Sequence, residues 1–166
     1  MHIALHMERR FSFGKHFRRT TIFALRGPLG PGTGSVRARL LEVAAEVGPL
    51  LGCEPQLRFR GPIDAVVPEP VVDDLVAVLR EALTNTARHA GATHVEVEVA
   101  ASTSELSLVV ADDGTGLHGA TRRSGLANLR DRAELHGGHM ELSVATTPTT
   151  RPDHEGTRLT WTIPLT

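Results

Sequence analysis

Glu81, Asn85, Arg88 and His89 recur at the i, i+4, i+7, i+8 spacing of one helix face. A carboxylate, an amide and two basic groups are thereby lined up along about two turns. Such a row can hold a metal-bound polyphosphate and polarise a nucleophile beside it. Val72, Leu75, Val76, Leu79, Leu83, Ala87 and Ala90 fall on the other side and would bury the helix. Taken alone, a polar stripe is the ordinary solvated face of an amphipathic helix. Two segments further along the chain make it a candidate site.

The first is Asp112-Asp113-Gly114-Thr115-Gly116. A carboxylate leaving a strand end can accept a hydrogen bond from an amine such as that of adenine. Glycines let the backbone turn tightly and approach a flat ring. By itself the segment also fits a plain Asp-Gly turn. The second is Ser124-Gly125-Leu126-Ala127-Asn128-Leu129-Arg130, which opens a helix. Free N–H groups and the positive dipole end suit a phosphate chain there, and a Ser-capped helix with no ligand is the alternative. Thr157, after Glu155-Gly156, can bond a ring or a water, or be a plain strand threonine.

The elements that must position these residues follow from periodicity. Ser35 can cap a helix to about Val47, with Val36, Leu40, Val43, Ala44 and Val47 at helical spacing. Gln56 to Arg60 reads as a short strand with Leu57 and Phe59 inward. Pro68 and Pro70 sit where the long helix to Ala90 can begin, and Gly91 can stop it. Val95, Val97 and Val99, then Leu106, Leu108 and Val110, alternate with polar residues as a hairpin whose second strand ends at Val110. A helix from about Leu126 to His136 ends at Gly137-Gly138. Strands follow at about His139–Val144 and Arg158–Ile163, the last with Leu159, Trp161 and Ile163 inward. Helices on one side of a mostly antiparallel sheet make a two-layer α/β sandwich.

Composition sets limits. The 166 residues suit one domain, with 40% hydrophobic and 22% charged residues. A net charge of −1 argues against direct nucleic-acid binding driven by bulk charge. The single cysteine, Cys53, excludes an internal disulfide and reads as a small buried apolar group. No stretch approaches the roughly 20 apolar residues of a membrane span. Met1 to Phe17 lacks the continuous apolar run of a signal peptide, so a cytoplasmic location without membrane contact is expected. The run Gly27–Gly34 lacks the Gly-Lys-Ser/Thr ending of a phosphate loop and reads as a linker, after a possible helix end at Arg18–Leu25. His2 with His6, and His136 with His139, come without the further ligands of a zinc site and read as surface histidines.

In this order, the three segments resemble the Bergerat-fold ATP-binding module shared by sensor histidine kinases, DNA gyrase B, the ninety-kilodalton heat-shock chaperones and MutL. Leu79–Ala90 resembles the N box, Asp112–Gly116 the first glycine box and Ser124–Leu129 the second. Arg80 to Ala90 and Gly125 to Glu134 are especially similar to the histidine-kinase branch that partners LuxR-type response regulators. Phe59-Arg60-Gly61-Pro62 and Thr21-Ile22-Phe23 resemble the actinobacterial dormancy kinases DevS and DosT.

The resemblance implies a catalytic domain over 35–166, behind an atypical segment and linker over 1–34. It implies that Asn85 coordinates Mg2+ bridging the phosphates of ATP, and that Glu81 orients or deprotonates the nucleophile. Arg88 and His89 would face the phosphates, with Gly125 and Leu126 beside them. Asp112 would bind the adenine amine, supported by Gly114, Gly116 and Thr157, and Leu117 to Ser124 would form the lid. The implied partners are a phosphoacceptor dimerisation domain, through whose helices the parent kinase would form a homodimer, and a LuxR-type response regulator. Arg123 departs from the pattern, standing where many relatives have the first glycine of the second box. No convincing phosphoacceptor histidine precedes the domain in this chain, His6 standing too near Thr21-Ile22-Phe23 for the usual helical hairpin. A serine kinase of the same fold and a docking module with a closed pocket are the alternatives.

Overall fold

The computed structural model describes residues 34–116, 123–145 and 155–165, with residues 123 and 124 described by backbone alone. The expected helix end at 18–25, most of the expected linker, His2, His6, residues 117–122 of the expected lid and the Arg123 side chain lie outside the described residues.

Helix α1 spans Val36–Leu51, and the Ser35 hydroxyl accepts its Ala38 N–H at 3.1 Å. Such a cap contributes about 1 kcal/mol. The helix continues past the expected end at Val47, through Pro49, because Val47 and Leu51 share its buried face. Gly52, at φ 73, closes it. Strand β1 (Gln56–Arg60) matches its expectation. Helix α2 (Ile63–Val66) was not expected, since one turn carries no periodicity; it exists to bury Ile63 completely. Helix α3 (Glu69–His89) starts after Pro68, with Pro70 in its first turn, and stops before Gly91 at φ 55.

Strands β2 (Val95–Ala101) and β3 (Glu105–Asp112) form the expected hairpin. Strand β3 does not end at Val110. Pairing to Val95 on one side and Thr157 on the other carries it to Asp112. Helix α4 (Arg123–Leu135) starts three residues before the expected Leu126, so Ser124 and Gly125 stand inside its first turn. It also stops one residue short of His136. Strands β4 (His139–Val144) and β5 (Thr157–Pro164) complete the sheet, β5 being one residue longer at each end than expected.

The strand order is β1-β2-β3-β5-β4, with β1 and β2 parallel and every other pair antiparallel. Val95, Val97, Val99, Leu106, Leu108, Leu159, Trp161 and Ile163 are buried on the helix-covered face. Trp161 is paired between Leu108 and Met140, and it is fully buried. The other face carries Arg58 and Arg60 against Glu96 and Glu98, at 3.7 and 3.3 Å. This is the expected two-layer α/β sandwich, with helices on one face of a mixed, mostly antiparallel sheet.

Helix α3 is its organiser. It packs against α1, α4 and β3. The apolar stripe read from sequence is therefore too narrow, since Val71, Val78, Ala82 and Thr86 are buried as well. Leu75, Leu79 and Leu83 are completely buried, each contributing roughly 1.5–3 kcal/mol. Arg39 bridges to Glu69 and Asp73 at 3.2 and 2.6 Å, and Arg80 to Glu46 at 2.9 Å, tying α1 to α3 at the surface. Such exposed pairs are worth about 0–1 kcal/mol each.

One clasp joins α3 to α4. Asp74 accepts hydrogen bonds from Arg132 and from His136 Nε2, the latter at 2.7 Å. His136 is thus not the expected surface histidine but a half-buried partner, whereas His139 is exposed. Burial raises the Asp74 carboxyl, but His136 and Arg132 outweigh it and hold the group below the ordinary aspartate range. A depressed folded value stabilises the fold above the unfolded value and loses that contribution as pH falls through the folded one. Asp74→Asn is therefore expected to cost about 1 kcal/mol at pH 7. Urea denaturation should show the deficit shrinking as pH drops below the ordinary carboxylate range; a deficit independent of pH would contradict this ion-pair account.

Candidate functional site

The candidate residues gather where α3, the ends of β3 and β5, and the start of α4 meet. Asp112, last residue of β3, is buried. Its Oδ1 accepts the Gly114 N–H at 2.9 Å and the Thr157 N–H at 3.3 Å. Thr86, buried on α3, gives its hydroxyl to the Ala82 carbonyl at 3.2 Å. Burial raises the Asp112 carboxyl above its ordinary value, offset in part by the Gly114 and Thr157 N–H groups, and the neighbouring charge of Asp113 raises it further.

Asp113 has the opposite character. Its Oδ1 accepts the N–H groups of Thr93 and His94 at 2.7 and 2.8 Å, and its Oδ2 accepts the Thr93 hydroxyl at 2.7 Å. Burial raises it, but these donors outweigh burial and keep it below the ordinary range. Asp113 thus locks the loop after α3 onto the end of β3, whereas Asp112 bonds to the Gly114 and Thr157 N–H groups. The pair is adjacent in sequence, and only the fold separates its duties.

The rim is sewn to its neighbours through backbone. Thr115 N–H bonds to Ala90 O at 2.9 Å, and Gly156 N–H to Gly114 O at 3.1 Å. A Cβ on Gly114 would lie 2.3 Å from Ala90 O and 2.5 Å from Ala90 Cβ, so no other residue fits that close approach. Gly116 has φ 73 and passes next to Gly156.

At the other end, Glu81 and Asn85 lie one turn apart on α3, both half-buried. A Cβ on Gly125 would sit 2.5 Å from Glu81 Oε1 and 3.5 Å from Asn85 Nδ2. The two side chains therefore converge on the first turn of α4. Leu126, next in line, packs partly buried against the core, which leaves its backbone as the part available to a ligand. Arg88 and His89 are exposed on the last turn of α3. Thr157 is half-buried and meets Asp112 through its backbone N–H. Cys53 is a free, partly buried thiol, raised by burial and by the charge of Asp113. Among the described residues, no group of three or more His, Cys, Asp or Glu side chains could hold a metal by itself. No described helix is long and apolar enough to cross a membrane.

Sequence reasoning brought Glu81, Asn85, Asp112, Gly114, Gly116, Gly125 and Thr157 to this one region.

Residues 71–166 match the model of the family described as histidine kinase-, DNA gyrase B- and HSP90-like ATPase. The chain belongs to that ATPase family. The sensor histidine kinase LnrJ of Bacillus subtilis is 40% identical over 74 residues, which is 45% of this chain and 18% of that protein. The B. subtilis sensor histidine kinase YvfT is 30% identical over 110 residues, 65% of this chain and 27% of that protein. The chain thus spans about a quarter or less of the relatives it matches. Among solved structures, the Acinetobacter baumannii histidine kinase AdeS superposes with a TM-score of 0.59 at 14% identity, covering 79% of this chain and 65% of that one. The mycobacterial sensor histidine kinase MprB superposes at 0.54 and 18% identity, covering 79% of this chain and 96% of that one. At these identities the likeness is one of fold.

Proposed function

We propose that the chain is the cytoplasmic ATP-binding catalytic domain of a two-component sensor histidine kinase. It binds Mg-ATP and presents the γ-phosphoryl group to a histidine on a dimerisation domain. That histidine passes the group to an aspartate of a response regulator. The similarity of Arg80–Ala90 and Gly125–Glu134 to kinases that partner LuxR-type regulators supports a regulator of that class. The resemblance at Phe59–Pro62 supports a parent like the dormancy kinases.

The observation that carries the reading is the two-ended geometry. A buried carboxylate with one oxygen already saturated stands at one end, and a carboxylate–amide pair converging on a helix N-terminus stands at the other. The first suits the exocyclic amine of adenine, with Gly114, Gly116 and Thr157 shaping the ring's edge. The second suits a phosphate chain against Gly125, Leu126 and the first turn of α4. Asn85 fits magnesium, because an amide oxygen joined by phosphates and waters satisfies that ion without a protein cage. When bound, magnesium neutralises phosphate charge. Arg88 and His89 add positive charge on the adjoining turn of α3.

Chemistry at this site consists mostly of positioning. The nucleophilic imidazole nitrogen forms a bond to the γ-phosphorus as the bond to the β–γ bridging oxygen breaks, and ADP leaves. Glu81 holds the opposite N–H of the imidazole and takes its proton as charge develops.

The test is to incubate the chain, a histidine-bearing dimerisation domain and ATP labelled at the γ-phosphate. Acid-labile, alkali-stable label on the partner is expected, as for a phosphoramidate. Acid-stable label on a serine would replace this reading with the serine-kinase one.

A further inference from the structure

We propose that Asp74 is a positioning residue of the nucleotide site, its clasp on Arg132 and His136 setting where the first turn of α4 stands against Glu81 and Asn85. The inference rests on the nucleotide-site reading above and extends it to a cluster two helical turns away.

Helices α3 and α4 run antiparallel, because Asp74 meets Arg132 and His136 while Glu81 and Asn85 converge on Gly125. Asp74 to Glu81 and Gly125 to Arg132 are each a step of seven residues, about 10 Å of helix. Between the two meeting points, Val78 and Ala82 are buried on α3, and Leu129 and Ala133 on α4. Such burial is non-directional, and with alanine on both helices it constrains the axial position and roll of α4 only weakly.

The clasp is directional. Each Asp74 oxygen has its own donor, Arg132 giving to Oδ1 and His136 Nε2 to Oδ2, the latter at 2.7 Å. The two donors stand one turn apart on α4, so together they fix its roll as well as its position along the axis. Charge-assisted bonds of this kind are roughly twice as strong as neutral ones. The adjacent Asp73 turns to Arg39 of α1, so consecutive aspartates tie α3 to a different helix each.

The site end of α4 has no slack to absorb a shift. A Cβ on Gly125 would lie 2.5 Å from Glu81 Oε1, so the main chain of α4 passes directly against that carboxylate. A slide or roll of α4 moves this main chain relative to Glu81 and Asn85, and with it the N–H groups that would meet the phosphates. A misplacement of about 1 Å caused far from the chemistry can cost roughly a hundredfold. The adenine end is built on the ends of β3 and β5, which the clasp does not touch.

The test sets Mg-ATP against adenosine, which lacks the phosphates. Calorimetry reads Mg-ATP affinity directly and adenosine affinity by competition. The expected result for Asp74→Ala is about tenfold weaker Mg-ATP binding, with adenosine binding within about twofold of the unaltered chain. His136→Ala should share the defect. His136→Gln, which keeps an N–H donor near the place of Nε2, should restore Mg-ATP binding. A merely structural role would spare both ligands or weaken both alike. A folded Asp74→Ala variant that does either would therefore overturn the inference. If Asp74→Ala does not fold, the histidine pair decides, and equal Mg-ATP affinity in His136→Ala and His136→Gln would overturn it. An unaltered chain that binds Mg-ATP beside indifferent variants keeps the nucleotide site and loses this inference, whereas an unaltered chain that binds no Mg-ATP loses both.

Discussion

Replacing Glu81 by glutamine is expected to slow phosphoryl transfer to histidine by about a hundredfold or more, with ATP affinity little changed. The side chain sits on α3 one turn before Asn85, half-buried, with its Oε1 against the first turn of α4. Glutamine keeps the volume and the fit against Gly125, so a steric role would survive the change. It cannot accept the imidazole proton, so a role in transfer would not. Rapid-quench measurement of labelled phosphohistidine under saturating ATP isolates that step. A variant as fast as the unaltered chain would remove Glu81 from the chemistry and leave it as packing for α4.

Asp112→Asn should act on binding rather than on transfer. The carboxylate is an acceptor at both oxygens, and the amide would present N–H groups where an adenine amine also donates. Loss of a charge-assisted bond in a buried site costs roughly 1.5–3 kcal/mol, or about tenfold to a hundredfold in affinity. The fold should not suffer equally. Burial raises Asp112 above its ordinary value, and an acid raised in the folded state contributes stability below its unfolded value that disappears as pH rises through the folded one. At neutral pH the ionised group is therefore a cost to the fold, so a thermal melt of the asparagine variant should be unchanged or higher. Binding of the unaltered chain should decline on acidification at a pH above that of an ordinary aspartate. Wild-type affinity in the asparagine variant would move adenine out of this pocket.

The segments of the candidate site are legible in the sequence because each is local. Asp112 to Gly116 and Ser124 to Leu129 are short runs of specific types, and the Glu81–Asn85 pair needs only helical spacing. The β2–β3 hairpin was legible from strict alternation, and the start of α3 from Pro68 and Pro70. What escaped depends on partners distant in the chain. Asp74 meets Arg132 and His136 across 58 and 62 residues, a relation no periodicity encodes. The start of α4 escaped because its polar first turn has no apolar residue before Leu126 to mark it.

The most direct measurement is calorimetric titration of the unaltered chain with ATP, with and without magnesium. The account predicts saturable binding at one site, tighter with the metal than without it. Absence of saturation at millimolar nucleotide in both conditions would contradict it.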